Sequence, residues 1–185
     1  QASAYATRGE WGLRRPPGAQ GESDFMARCI KCGKCIEACP YQALGPAGDD
    51  AGMAVGTPCI DARSQACRLC EDFPCVDVCP TDALRDVSAR SDVRMGVAVI
   101  DEEGCIAFQG MRCEVCYRAC PLIDEAILID YRMREGDAIH TLFAPVIDED
   151  ACVGCGLCVE RCVVSEPTVP SRIATDAQRT RERGQ

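Results

Sequence analysis

Aromatic residues, lysine and histidine are all scarce in this chain, and each shortage excludes something. One Trp, four Tyr and four Phe amount to 5% of 185 residues. That is too little bulky carbon for a large conventional core, so the chain needs metal or covalent staples. The only histidine, His140, cannot supply the two imidazoles of a Rieske centre, and no Cys-x-x-Cys is followed by His, which removes c-type haem. Lysine occurs only at Lys31 and Lys34 and the formal net charge is -9. A nucleic-acid-binding surface wants a basic field, so no nucleic acid is expected as a partner. No apolar run approaches the roughly 18 residues of a membrane helix, so no transmembrane segment is expected and a membrane role would pass through a partner.

Cysteine is what the chain has in excess, 17 residues in all. A secreted disulfide scaffold is the simplest reading of such density, but the spacing argues against it. Cys29, Cys32, Cys35 and Cys39 form a C-x2-C-x2-C-x3-C run, and Cys152, Cys155, Cys158 and Cys162 form another. Between them lie Cys67, Cys70, Cys75 and Cys79, then Cys105, Cys113, Cys116 and Cys120. Thiols two residues apart in threes converge on one object held by one loop. The first and last runs match bacterial ferredoxins, and Pro40, Pro80 and Pro121 trail the first three runs. Zinc would use two pairs and leave the other members of each run idle. A cubane takes three ligands from one run and the fourth from another. Every run has a fourth cysteine, so no iron is left open for radical chemistry. Closed clusters that pass electrons are expected: four [4Fe-4S] centres on sixteen cysteines, and no enzyme site.

The chain also repeats itself. Val99-Ile100-Asp101 leads into Cys105 much as Val146-Ile147-Asp148 leads into Cys152. Each unit reads as strand, cysteine loop, one or two helical turns begun by the trailing proline, and strand. This is the half-module of a two-cluster ferredoxin, in which the fourth cysteine of one run ligates its partner run's cluster. The shared lead-in suggests that runs three and four both open second halves, and runs one and four resemble each other. The expected architecture is therefore α+β, two nested bacterial 2[4Fe-4S] ferredoxin-like modules with short strands, short helices and many cluster-binding loops. An outer module (23–60 and 140–170) would hold an inserted one (61–139). The ligand sets would be Cys29, Cys32, Cys35 with Cys162; Cys67, Cys70, Cys75 with Cys120; Cys105, Cys113, Cys116 with Cys79; and Cys152, Cys155, Cys158 with Cys39. Tandem pairing, one with two and three with four, stays open. Residues 1–22 read as an extended arm and 171–185 as a polar, flexible tail.

Longer stretches resemble the ferredoxin-type proteins of the NapG/MauM family. They include Arg15-Pro16-Pro17-Gly18-Ala19, Cys29 to Tyr41, Gly56-Thr57-Pro58, Cys70-Glu71-Asp72-Phe73-Pro74-Cys75, Arg94-Met95-Gly96-Val97-Ala98-Val99, and Phe108 to Pro121. The resemblance implies an iron–sulfur electron-transfer protein with four [4Fe-4S] clusters. It implies a periplasmic place, peripheral to the inner membrane, after export of the folded chain and loss of a signal peptide, which a start at Gln1 fits. The partners it implies are a membrane-bound NapH/MauN-like quinol-oxidising protein and a periplasmic reductase, dehydrogenase or cytochrome, serving nitrate reductase or methylamine utilisation. A maturation factor for a periplasmic redox enzyme, using the same clusters, is the alternative. Val163, where proline is usual, and Cys59, which has no ligand role, depart from the pattern.

The remaining residues have plainer readings. Cys59 reads as a small apolar residue after the Gly56-Thr57-Pro58 turn, His140 as a surface or strand residue. Tyr5 and Trp11 suit packing or a partner, and Arg172, Arg179, Arg181 and Arg183 suit a solvated tail. Lys31 and Lys34 flank the first run as surface or tuning charges. Gly33, Gly154 and Gly156 mark places where backbone should come close to the sulfurs.

Overall fold

The computed structural model describes residues 13–134, 136–164 and 171–174. Its helices are α1 (Glu22–Arg28), α2 (Lys34–Glu37), α3 (Pro74–Asp77), α4 (Val115–Ala119) and α5 (Leu157–Arg161). Its strands are β1 (Gly45–Pro46), β2 (Pro58–Cys59), β3 (Val97–Ile100), β4 (Ile127–Arg134), β5 (Asp137–Ile147) and β6 (Ser171–Ala174). The content is small and mixed, as an α+β reading requires.

Four of the helices are about one turn long, and each carries the third cysteine of a run: Cys35, Cys75, Cys116 and Cys158. The helical turns expected after the fourth cysteines lie earlier than that, and Pro40, Pro80 and Pro121 begin plain turns. Local backbone geometry explains the shift. Gly33, Phe73 and Gly156 stand at the helix N-caps with φ of 77°, 41° and 87°, and that left-handed bend turns the chain into a helix just ahead of the third cysteine. At the other end Cys120 is already extended, because a residue before proline is pushed out of the α region.

The strands form three separate antiparallel pairs, β1 with β2, β3 with β6 and β4 with β5. The repeated Val-Ile-Asp lead-ins are strand ends. Val99 and Ile100 close β3, while Val146 and Ile147 close β5 opposite Leu128 and Ile127 of β4. The β4–β5 hairpin projects outward: on β4 only Ile127 is buried, and Tyr131 meets Phe143 edge-on at 5.3 Å. The tail differs from expectation, since Ser171–Ala174 pair with Ile100–Val97. Residues 175–185, with Arg179, Arg181 and Arg183, lie outside the described residues.

Within the arm, residues 14–19 are tied to the body of the molecule. Arg14 bridges Ile60, Ala19 bridges Leu84, and Pro16 and Pro17 are fully buried. Arg15 explains the anchorage. Its Nη1 donates to Thr57 Oγ1 at 2.7 Å and to the Pro58 carbonyl at 3.0 Å, its Nε donates to Glu22, and its guanidinium stacks 4.5 Å over Phe25. Residues 1–12, Tyr5 and Trp11 among them, lie outside the described residues.

One core joins both halves of the chain, with Phe25, Leu44, Ile60, Leu69 and Phe73 packed in the same cluster as Met95, Val153, Leu157 and Val159. Each such side chain contributes roughly 1.5–3 kcal/mol when fully buried. The cluster is small, consistent with a fold that leans on its cysteine loops.

Candidate metal centres

Four cavities, each bounded by four cysteines, lie along the molecule. The first is lined by Cys29, Cys32, Cys35 and Cys79, the second by Cys67, Cys70, Cys75 and Cys39. The third is lined by Cys152, Cys155, Cys158 and Cys120, the fourth by Cys105, Cys113, Cys116 and Cys162. All sixteen expected cysteines are brought together in fours, three from one run and one from another. The remaining walls are mostly apolar, and the open space in each is about 350–380 Å³.

The partners of the fourth cysteines correct the nested pairing. Cys79 stands with the first run, where Cys162 was expected; Cys39 with the second, where Cys120 was expected; Cys120 with the last run, in place of Cys39; and Cys162 with the third, in place of Cys79. Runs one and two therefore make one module and runs three and four another, in tandem, and 61–139 is not an insertion. The shared lead-ins mark the two halves of a single module: β3 leads into run three and β5 into run four. In a pseudo-symmetric module, likeness between halves is a sign of partnership. Within each module the short helices pack in pairs, α2 on α3 and α4 on α5.

The chemistry of the donors suits a cluster. Among the described residues no three His, Cys, Asp or Glu side chains could hold a single metal ion; the thiols stand around a space instead of meeting at a point. Burial pushes the Cys67, Cys75 and Cys116 thiols up to about 12 and those of Cys35 and Cys155 to about 11, and neighbouring thiols add to the shift. Four such thiols would not ionise together in apolar surroundings without a multivalent cation to discharge them. Backbone donors are in place for the charged form. The Ala43 N–H reaches Cys39 Sγ at 3.3 Å, and the Ala98 N–H reaches Cys152 Sγ at 3.4 Å. At Cys79 burial works against the thiolate, but N–H donors from Thr81, Leu84 and Ala83 outweigh it and lower the pKa. Left-handed residues inside the loops, Lys31 and Leu69 among them, give the alternating backbone that aims successive N–H groups inward.

The cavities follow one another in single file. Cys75 of the second lies within electrostatic reach of Cys35 of the first, Cys67 of the second within reach of Cys155 of the third, and Cys158 of the third within reach of Cys116 of the fourth. The central step is the junction between modules. There the Met95 N–H donates to the Val153 carbonyl at 3.0 Å. Glu160 on α5 accepts from the Ala66 N–H and from Arg68, both at 2.7 Å. Arg63 caps α5 by donating to the carbonyls of Val159, Cys162 and Val164 at 2.9, 3.0 and 2.9 Å.

Arg14 stands at the third cavity. A Cβ on Gly156 would lie 3.6 Å from its Nη1. Burial lowers its pKa to about 10, while Cys158, Asp61, Cys155 and Cys152 favour its charge. Its Nε is buried with no hydrogen-bond partner. Sequence reasoning missed Arg14, Arg63 and Glu160; the only available signal was an arginine preceding the Arg15-Pro16-Pro17 stretch. Gly33 lines the first cavity, and Gly154 and Gly156 line the third. A Cβ at Gly154 would sit 2.5 Å from the Gly96 carbonyl oxygen, and one at Gly156 would sit 2.4 Å from Ala62 Cβ, so these two also permit segments of chain to pack closely. Gly33 faces open space. Cys59 is fully buried on β2 with Sγ 3.5 Å from the Gly45 carbonyl oxygen, and it lines none of the four cavities. His140 is exposed on β5.

The model of the 4Fe-4S dicluster domain matches residues 28–83, which hold runs one and two, and again 109–165, which hold run four and all of run three but Cys105. A ferredoxin-type protein NapG of Escherichia coli is 46% identical over 157 residues, covering 84% of this chain and 68% of that protein. The Haemophilus influenzae NapG is 43% identical over 159 residues, 57% of its length. A methylamine utilization ferredoxin-type protein MauM of Methylorubrum extorquens is 39% identical over 166 residues, 89% of this chain and 74% of that one. Two dicluster domains account for four [4Fe-4S] clusters.

Proposed function

We propose, for a chain that belongs to the NapG/MauM ferredoxin-type proteins, that it relays electrons along its four clusters from a membrane-bound, quinol-oxidising partner towards a periplasmic redox enzyme of the nitrate-reductase or methylamine-utilisation kind. In this reading the ligand sets are Cys29, Cys32, Cys35, Cys79; Cys39, Cys67, Cys70, Cys75; Cys120, Cys152, Cys155, Cys158; and Cys105, Cys113, Cys116, Cys162. The observation that carries it is the single file of cavities, whose thiols reach from one to the next across the junction at Cys67 and Cys155.

Each cluster, when bound, supplies a one-electron centre. The chain does the rest. Apolar walls such as Leu122 and Ile127 at the third cavity, or Phe73 at the second, keep water away and limit the reorganisation that accompanies a change of charge. Backbone N–H groups at Cys39, Cys79 and Cys152 offset negative charge on sulfur. Among the described residues no helix is long and apolar enough to cross a membrane.

Anaerobic purification followed by iron analysis and a redox titration read by electron paramagnetic resonance tests this reading. About sixteen irons per chain and four one-electron centres are expected. Far fewer irons, or centres that do not reduce, would sink it.

A further inference from the structure

The two ends of the file differ. Of the 17 cysteines, Cys32 in the first cavity is the exposed one, whereas the fourth cavity has Cys105 buried and Cys113, Cys116 and Cys162 half-covered. Both lysines of the chain, Lys31 and Lys34, line the first cavity and are exposed. Lys31 has left-handed backbone with φ of 57°, and its Nζ donates to the Met53 carbonyl at 3.1 Å, which ties the Asp49–Ala54 turn to the rim. Among the described residues neither lysine forms an ion pair within 4.0 Å. Asp24, on the helix leading into this loop, is engaged by Arg28 and Arg85, and Glu37 closes α2 one turn beyond Lys34. Around the lysines, Ile30 is 62% and Met53 88% exposed. At the other end Arg112 and Arg118 are each held in an ion pair with the one carboxylate of Glu114.

We propose that the rim formed by Ile30, Lys31, Cys32, Lys34 and Met53 is the docking surface at which this chain exchanges electrons with an acidic redox protein. The inference rests on the relay reading. A terminal centre with an exposed thiolate gives the shortest path to a partner. Two lysines with no carboxylate partner among the described residues, on a chain of net charge -9, make a local attractor in a repelling field, and a carboxylate-rich partner is the one oriented by it. Ile30 and Met53 supply the apolar contact that holds the encounter. The same rim would reject a basic partner.

Rubredoxin, a small acidic iron protein, serves as the probe, with reduced holoprotein mixed in a stopped flow. In wild type the rate constant should fall as salt is added, although both proteins are negative overall; a rate that rises with salt overturns the proposal without any variant. Lys31→Gln/Lys34→Gln should slow the reaction roughly tenfold at low ionic strength, with the difference gone near 1 M salt. Arg112→Gln/Arg118→Gln removes the same two charges from the other end and should leave the rate within about twofold. Equal slowing by both pairs would show a net-charge effect and refute docking at Cys32. Loss of binding to anionic phospholipid vesicles in the lysine variant, with its rubredoxin rate unchanged, would overturn it in favour of a membrane surface. Clusters that cannot be reduced at all defeat the relay and the docking surface together, whereas reducible clusters with lysine-independent rates defeat only the docking surface.

Discussion

The backbone N–H of Cys67 donates to the carbonyl oxygen of Cys155 at 3.1 Å. That hydrogen bond joins the two modules where their inner cavities adjoin, and Glu160 guards it by holding Ala66 and Arg68 on the facing loop.

Glu160→Ala strands a backbone donor and a guanidinium in a half-buried junction, at a cost of about 1–3 kcal/mol. The clusters should still assemble. Magnetic coupling between the inner two, read in the fully reduced spectrum, should weaken, and thermal release of iron should start at lower temperature. An unchanged spectrum and melting profile would show that the junction does not depend on this carboxylate.

Iron counting separates the tandem pairing from the nested one. Cys32→Ser and Cys79→Ser should each remove one cluster, leaving about twelve irons, and the double variant should lose no more, because both touch the same cavity. Cys32→Ser with Cys162→Ser should fall to about eight. Under nested pairing the two double variants would exchange results.

Arg14→Gln removes a positive charge that lies behind Gly156 of the third cavity. Oxidised cores gain relative to reduced ones, so one potential in the titration should drop by on the order of 50–100 mV while the other three hold. Arg14→Lys, keeping the charge, should recover most of the difference. Four unmoved potentials would count against any electrostatic role for this side chain.

Gly154→Ala places a methyl group 2.5 Å from the Gly96 carbonyl oxygen at a φ of 72°. Both the clash and the left-handed backbone oppose it, and about 2 kcal/mol or more should be lost. Gly33→Ala meets nothing within 4 Å and should cost only the conformational penalty, about 1 kcal/mol. Paired anaerobic melts give the comparison, and equal losses would contradict the packing described at Gly154.

How far the sequence could be read depended on range. Two-residue spacing fixes which thiols share a loop, so Cys29, Cys32 and Cys35 were legible as a set. Which fourth cysteine completes the set depends on how helices such as α2 and α3 pack, and the similarity of the two lead-ins pointed to the wrong partner because it marks halves of one module. The single helical turns were foreseen but misplaced, since the left-handed residues at Gly33, Phe73 and Gly156 act before the prolines do. Arg14, Arg63 and Glu160 look like ordinary surface charges in one dimension. Their burial comes from segments roughly ninety or more residues away in the chain: Arg63 with Val159, Arg68 with Glu160.

A row of centres touching only end to end behaves as a series circuit. Where electrons pass only between neighbours, oxidative damage at the second or third position would not dim the current by a quarter but break it, leaving two short stubs that can charge and never discharge across the gap.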